Sequence, residues 1–445
     1  MFKSLLGFFA IASLSLPAAA QAPAGGQIIA LVGGQLIDGY GGPPIQDSVV
    51  VIQGNRIQAA GPRASTPVPM EARVISTEGR TVMPGIMDMH VHLMILGHGD
   101  YQHWDQTYLD QFRDVIMPIA ARELLMAGVT TVRDVGARIE DIFPIKDRIA
   151  RGEIPGPRVY ACGPFLQKRV DSAWEAPFRW VVDGPEDARV KTQKILDAGA
   201  DCIKVIDQDQ MSLDELKAIV DTAHRAGKHV VAHAHRTEEI RMGIKAGVDC
   251  LEHTGLGTQP GYPEDVLALI TERQSSLYWT PTMEGLFLYP YTVDQFPARL
   301  HDPRLKEDLP PDLYEDIRAS LEHPERLEYF QLVRRRVPTL ANKFSQLRKT
   351  GVTILVGTDS GIPMNFHFDS TWRELDTMVR LGMDPMDAIR AATYWPAKLL
   401  KADADLGTIA AGKLADLIVV DGDPLTDMSE LRHIDHVVKD GQVVR

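Results

Sequence analysis

"ADCIKVID", residues Ala200 to Asp207, decides how the middle of this chain folds. Cys202, Ile203, Val205 and Ile206 form a short apolar run, the pattern of a parallel strand covered on both faces rather than a half-exposed one. Such a strand belongs to an α/β sheet, and it sets Lys204 a problem. An isolated ammonium in an apolar interior is costly, so its charge must be compensated or removed.

Runs of the same kind recur outward from this one. "VMPGIMDMHVH", "TTVRDVG" and "RVYACG" precede it, and "HVVAHA", "CLEHTG", "LYWTPTM" and "TILVGTDSG" follow. Helical patterns over 188–198, 214–226 and 239–246 lie between several of them. About eight strands alternating with helices predict an α/β fold, a (β/α)8 TIM-like barrel over 83–400. In such a barrel the C-terminal ends of the strands face the active site.

The two ends of the chain have another texture. "IIALVGGQLIDG" and "SVVVIQGNRIQAAG" near the start, and "LADLIVVDGDP" and "IDHVVKDGQVV" near the end, read as short strands broken by glycine turns. They predict one small β domain built from 21–82 and 401–445. Within the barrel, residues 284–350 exceed any ordinary loop, with aromatics and prolines in "FLYPYTVDQFP" and helical patterns after it. We read this insertion as a cap over the barrel mouth, with a packing or oligomer-contact segment as the alternative.

A net charge of -13 and the lack of a basic run argue against nucleic acid as a partner. Lys3, the apolar stretch 5–16 and the small residues Ala18 to Ala20 read as a cleavable export signal over 1–20, which predicts a periplasmic or secreted protein. The apolar core is too short to span a membrane comfortably, so no membrane association is expected after cleavage. Cys162, Cys202 and Cys250 are few and odd in number, and we read all three as small buried hydrophobes outside any disulfide framework.

The strand ends carry the chemistry. The first ends in His90 and His92, the fourth carries Lys204, the fifth ends in His233 and His235, the sixth in His253 and the eighth in Asp359. Residues i and i+2 of a strand project to one face, so His90 and His92 can address one cation. Histidine with carboxylate suits zinc or a similar first-row divalent ion, which activates water and polarises a carbonyl. Asp359 beside it can act as general acid and base. His233 and His235 share a face, and spacing alone does not choose between them. We take His233, which follows the apolar run directly, as the ligand, and His235 as a substrate contact, a support for a ligand or a structural histidine. Arg133, at the second strand end, is a candidate for binding a substrate carboxylate, with pairing to a neighbouring acid as the alternative. His98, His103, His224, His301, His323 and His367 read as surface or packing residues.

Taken together, "MPGIMDMHVHL", "GVTTVRDVG", "DCIKVI", "HAH", "EHTG", "GTDSG" and "AGKLADLIVVDGDPL" resemble the amidohydrolase superfamily of metal-dependent hydrolases over nearly the whole mature chain. The resemblance implies a distorted barrel with a small β-sandwich, and a two-metal subtype in which the fourth-strand lysine is carboxylated on its side-chain nitrogen and bridges the ions. It places His90, His92 and Asp359 on the more buried ion, His233 and His253 on the more exposed one, and Lys204 on both. That would resolve the charge problem, because a carbamate is an anionic ligand. A homo-oligomer is implied by the resemblance alone. The nearest look is to the prolidase-like and carboxypeptidase-like members, but their "GGHG" stretch after the third strand is replaced here by "GPFLQKRVDSAWEAPFRW". Arg169, Trp174, Phe178 and Trp180 thereby become candidates for a different substrate pocket.

The expected function is hydrolysis of an amide or peptide-type C–N bond in a small substrate: a dipeptide, an N-acyl amino acid or an aryl amide. Esterase, lactonase or phosphotriesterase chemistry on the same centre is the alternative. A one-metal deaminase of the superfamily fits less well, since His235 and Arg236 stand where an acid is typical. A non-catalytic binding protein fits least, because the ligand set is complete.

Overall fold

The apolar runs pair side by side as parallel strands. Cys202–Val205 lies between Phe165–Gln167 and His229–His233, with Lys204 opposite Val231. The sheet continues through Cys250–Glu252 and Tyr278–Thr280 to Thr353–Ile354, seven strands in all, counting the outlying Arg179–Val181. Ile86–Val91, Val129–Asp134 and Arg158–Ala161 make a second, three-stranded parallel sheet. Hydrogen bonds join the two at both seams. Asp201 N donates to Ala161 O at 2.8 Å, and Met89 N and Asp359 N donate to Val356 O and His90 O at 2.9 and 2.7 Å. This ring of parallel strands is consistent with a TIM-like barrel. The computed structural model describes residues 27–170, 172–255, 257–283 and 300–445. The expected export signal and the "FLYPYTVDQFP" stretch lie outside them.

Helices fill the connections where the sequence predicts them: Gly184–Asp197, Leu213–Arg225 and Thr237–Ala246. Leu213–Arg225 starts on a capping box, in which the Ser212 hydroxyl accepts from Glu215 N and the Glu215 carboxylate accepts from Ser212 N. The strands run shorter than their apolar runs. "TILVGTDSG" is regular only over Thr353–Ile354, because the residues beyond leave the ladder to carry the site.

The chain ends form two further sheets. Ser48–Gln53 pairs antiparallel with Ile28–Val32 and Arg56–Pro62, and Leu417–Val420 from the C-terminal end pairs antiparallel with Thr81–Pro84 from the N-terminal one. The described part of the insertion consists mainly of helices Pro303–Asp308, Pro311–Ser320 and Glu328–Thr350. Leu313, Ile317, Leu340 and Phe344 bury into the main core. The last helix is tied to the loop after the sixth barrel strand, where Lys343 Nζ donates to Gly255 O at 2.8 Å and Gly257 O at 3.0 Å. Among the described residues no helix is long and apolar enough to cross a membrane.

One reading is corrected. Cys162 and Cys202 form a disulfide, and only Cys250 stays a free buried thiol. The third and fourth barrel strands adjoin, and both cysteines point into one interior layer with Met89, Val135 and Val231, bringing their Cα atoms to 4.4 Å. An odd count does not prevent two of three from meeting.

Candidate metal centre

Close backbone approach at two glycines assembles the strand ends. A Cβ on Gly357 would fall 2.2 Å from Thr280 Cγ2 and 2.8 Å from His90 Cβ, so only glycine lets the chain leading to Asp359 pass this near His90. A Cβ on Gly255 would fall 2.1 Å from Ala234 O, which holds the end of the sixth strand against the fifth. Beyond their strands His253 and Asp359 both adopt the left-handed conformation, φ 76° and 58°, rare for residues with a side chain and common where a site demands it.

The result is two adjoining trios. His90, His92 and Asp359 form one, with both His90 Nε2 and His92 Nε2 facing Asp359 Oδ1 at 3.4 and 3.3 Å. His233, His235 and His253 form the other. His233 Nδ1 and His253 Nε2 are 2.9 Å apart, whereas His235 stacks its ring face on His253 with centroids at 4.4 Å. The His90 and His253 rings lie 4.8 Å apart, which joins the trios.

Lys204 is fully buried beside them, and its Nζ has no hydrogen-bond partner. Burial pushes the ammonium down to about 8, against the pull of the Glu252 and Asp359 charges. His233 and His253 are held well below the ordinary imidazole range, by burial and then by neighbouring positive charge, including that of Lys204. Burial and then the Arg336 guanidinium bring His235 down to about 3. Neutral imidazoles offer lone pairs. Burial would raise Asp359, but the His90 and His92 contacts outweigh it and keep the carboxylate charged. Three neutral imidazoles, His233, His235 and His253, with an anionic carboxylate and an orphaned buried amine fit a divalent metal centre.

Supporting residues escaped the sequence reading. His90 Nδ1 meets Glu252 Oε2 at 2.7 Å, and Glu252 Oε1 accepts from Arg133 Nη2 at 2.7 Å. Arg133 is fully buried and also donates to Met89 O, so it pairs with an acid beneath the centre and does not face a substrate. Strand alternation hides Glu252, because it faces inward with Cys250 and only the left-handed turn at His253 brings the next residue to the same side. Thr282 Oγ1 bonds His253 Nδ1 at 2.8 Å. His367, read as surface or packing, is fully buried and braces the loop of Asp359 through Ser360 Oγ and Ile95 O, at 2.7 and 3.0 Å.

A cavity of about 270 Å³ opens on the centre, touching His92, His233, His235, His253 and Asp359. Its other wall comes from the stretch after the third strand: Phe165, Trp174, Phe178 and Arg179. Trp174 and Phe178 thus line this cavity. Arg169 is exposed and outside the lining, and Trp180 turns away to sit under Lys194 at 4.9 Å. Arg179, not singled out in the sequence, is the cation at this wall among the described residues; it lies over the Phe165 ring at 5.2 Å and against Glu175 at 3.0 Å. A larger cavity of about 890 Å³, rich in arginine, shares none of these residues.

Residues 81–444 match the model of the amidohydrolase family. Ochratoxinase of Aspergillus niger is 28% identical over 466 aligned positions, spanning 94% of this chain and 87% of that protein. Among solved structures, a Xaa-Pro dipeptidase with methionine bound in its active site is similar with a TM-score of 0.72 at 28% identity, covering 94% of this chain and 100% of the other. Molinate hydrolase is similar with a TM-score of 0.74 at 25% identity, covering 94% and 95%.

Proposed function

The chain belongs to the amidohydrolase family, hydrolases acting on C–N bonds, and from that premise we propose that it is an exported two-metal hydrolase of small amides, of the dipeptide or N-acyl amino acid kind. The observation that carries the two-metal reading is Lys204 Nζ, buried without a partner among histidines and a carboxylate. Carboxylation of that nitrogen would convert it to an anionic oxygen ligand. His90, His92 and Asp359 would then hold one ion, His233 and His253 the other, and Lys204 both. The edge-on approach of His233 to His253 supports His233 as the ligand, and the stacked His235 suits contact with substrate.

When bound, such ions supply Lewis acidity, activating water and polarising the scissile carbonyl. The remaining steps fall to the chain. Asp359, held anionic, accepts the proton of the attacking water and passes it to the departing amine. Phe165, Trp174 and Phe178 hold an aromatic or apolar part of the substrate and exclude water from it. Arg179 can pair with a substrate carboxylate, which favours a dipeptide or N-acyl amino acid over a neutral aryl amide. The likeness to a Xaa-Pro dipeptidase supports a small peptide-type substrate. The Cys162–Cys202 disulfide supports an oxidising compartment, in keeping with export.

A panel of dipeptides, N-acyl amino acids, aryl amides, esters and phosphotriesters tests the bond assignment. Amides bearing a carboxylate should turn over fastest; efficient ester or phosphotriester hydrolysis with no amide hydrolysis would overturn it. Lys204→Ala should lose bound metal, and Asp359→Asn should lose ~10²–10⁴-fold in kcat. Wild-type turnover in either sinks the corresponding role.

A further inference from the structure

A second group of ligand-type side chains shares no residue with the centre described above. His98 follows the first barrel strand, His103 lies on helix Tyr101–Tyr108, and Asp316 lies on helix Pro311–Ser320 of the insertion. One nitrogen or oxygen of each lies within 4.8 Å of the other two. Asp316 Oδ2 is 2.9 Å from His103 Nε2 and 3.6 Å from His98 Nε2. The two imidazoles stack at 19° with centroids 5.2 Å apart, and both turn the same edge to the carboxylate.

His98 is the informative member. It is only 4% exposed, and its Nε2 has no hydrogen-bond partner. At 3.6 Å the carboxylate is beyond hydrogen-bond reach. Its other nitrogen, Nδ1, is taken up by Asp100, lying 2.9 Å from Asp100 O and 3.0 Å from Asp100 N, which donates to it, so Nε2, aimed towards Asp316, is the nitrogen left for a ligand. A cation between Nε2 and Asp316 would give this buried nitrogen the partner it lacks.

We propose that His98, His103 and Asp316 form a separate cation site, for zinc or a similar first-row divalent ion, that clamps the insertion to the rim of the barrel. Two imidazoles and a carboxylate are an ordinary donor set for such an ion. Donors around a tetrahedral ion with bonds of about 2.0–2.1 Å lie roughly 3.3 Å apart, and the separations of 2.9 and 3.6 Å bracket that value. Tyr108 OH donates to Asp316 Oδ2 at 2.8 Å and orients it. His103 and Asp316 keep 44% and 31% of their side-chain surfaces exposed, which admits the ion and leaves room for water to complete its coordination. The segments joined are 213 residues apart in sequence, and they touch again where Gly99 N donates to Ser320 Oγ at 2.9 Å. The ion would therefore fix the insertion in place and take no part in the reaction.

The test is a metal count on full-length protein, stripped with chelator, reloaded with zinc and desalted. Wild type should retain one ion per chain more than His103→Gln or Asp316→Asn, both at partly exposed positions, with amide turnover unchanged in the variants. Equal counts overturn the proposal. In Lys204→Ala, which disables the main centre on our reading, the extra ion should persist and should disappear when Asp316→Asn is added. Its absence from Lys204→Ala also overturns the site, whatever becomes of the main centre. As a second readout, chelator should speed proteolysis within residues 300–327 in Lys204→Ala but not in Lys204→Ala/Asp316→Asn; equal acceleration in both counts against the clamp.

Discussion

Glu252 and Arg133 are both fully buried, and neither can lose the other cheaply. Glu252→Gln leaves the guanidinium without its counter-charge, which should cost ~3–5 kcal/mol in stability. It also loosens the grip on His90, so affinity for the proposed divalent metal should fall ~10–100-fold. Chemical denaturation and competition with a chelator measure the two effects, and a variant as stable as wild type would deny the pair its supporting role. Burial would raise the Glu252 carboxyl, but Arg133 and His90 bring it below its ordinary value of 4.5. Its stabilisation is therefore complete above 4.5 and is lost as pH falls towards the folded value. Arg179→Met should raise KM for N-acyl amino acids while sparing neutral amides, and Arg169→Met should do neither; equal effects from the two would remove Arg179 from the pocket. The proposed histidine and aspartate ligands were legible because they lie at or just past the ends of apolar runs, and Lys204 because it interrupts one. Glu252 and Arg179 were not, since one is hidden by a break in strand alternation and the other by a wall that only folding assembles.

At the scale of elements, the helix Leu213–Arg225 is held at its start by more than its own cap. Glu215 accepts from Ser212 N and Gly184 N and pairs with Lys168 at 2.6 Å, so it ties the stretch after the third strand to two helix starts. Ser212→Ala should cost ~1 kcal/mol, read as a shift in urea midpoint. Although burial would raise it, the Lys168 and backbone hydrogen bonds bring the Glu215 carboxyl down to about 2 from 4.5. The stability it confers is present above 4.5 and drains between there and about 2. Glu215→Gln should be less stable at neutral pH and lose less on acidification below 4.5, by urea midpoints at a series of pH values. A parallel decline in both proteins would assign the acid sensitivity elsewhere. Helices and strands of this middle region were readable as periodic patterns, since burial on a repeating sheet imposes them. Strand ends were not, because left-handed residues and close glycines set them, and neither leaves a period. The disulfide was missed for a related reason: whether Cys162 meets Cys202 depends on which strands adjoin.

Across the whole molecule, the strand Leu417–Val420 serves two cores at once. Leu417 and Val419 enter the small cluster with Val50, Ile52 and Val82, whereas Ile418 and Val420 enter the large one with Ile434 and Val437. Period-two alternation thus sends one face of a C-terminal strand into each unit, while its antiparallel partner Thr81–Pro84 leads directly into the first barrel strand and His90. The ends are therefore packed onto the barrel that carries the site, although none of their described residues belongs to the candidate metal centre. Texture alone revealed that the termini share a domain, but the double-sided strand could be recognised only once its neighbours were placed. Leu417→Ala and Ile418→Ala should each cost ~2–5 kcal/mol, despite facing different cores. Both should also destabilise the two units together. Hydrogen exchange at increasing denaturant should show peptides from Ser48–Gln53 and Cys202–Val205 opening at the same concentration, with activity lost there too. Opening of the small sheet well below that point, with turnover intact, would show that the barrel does not depend on the strand the ends share.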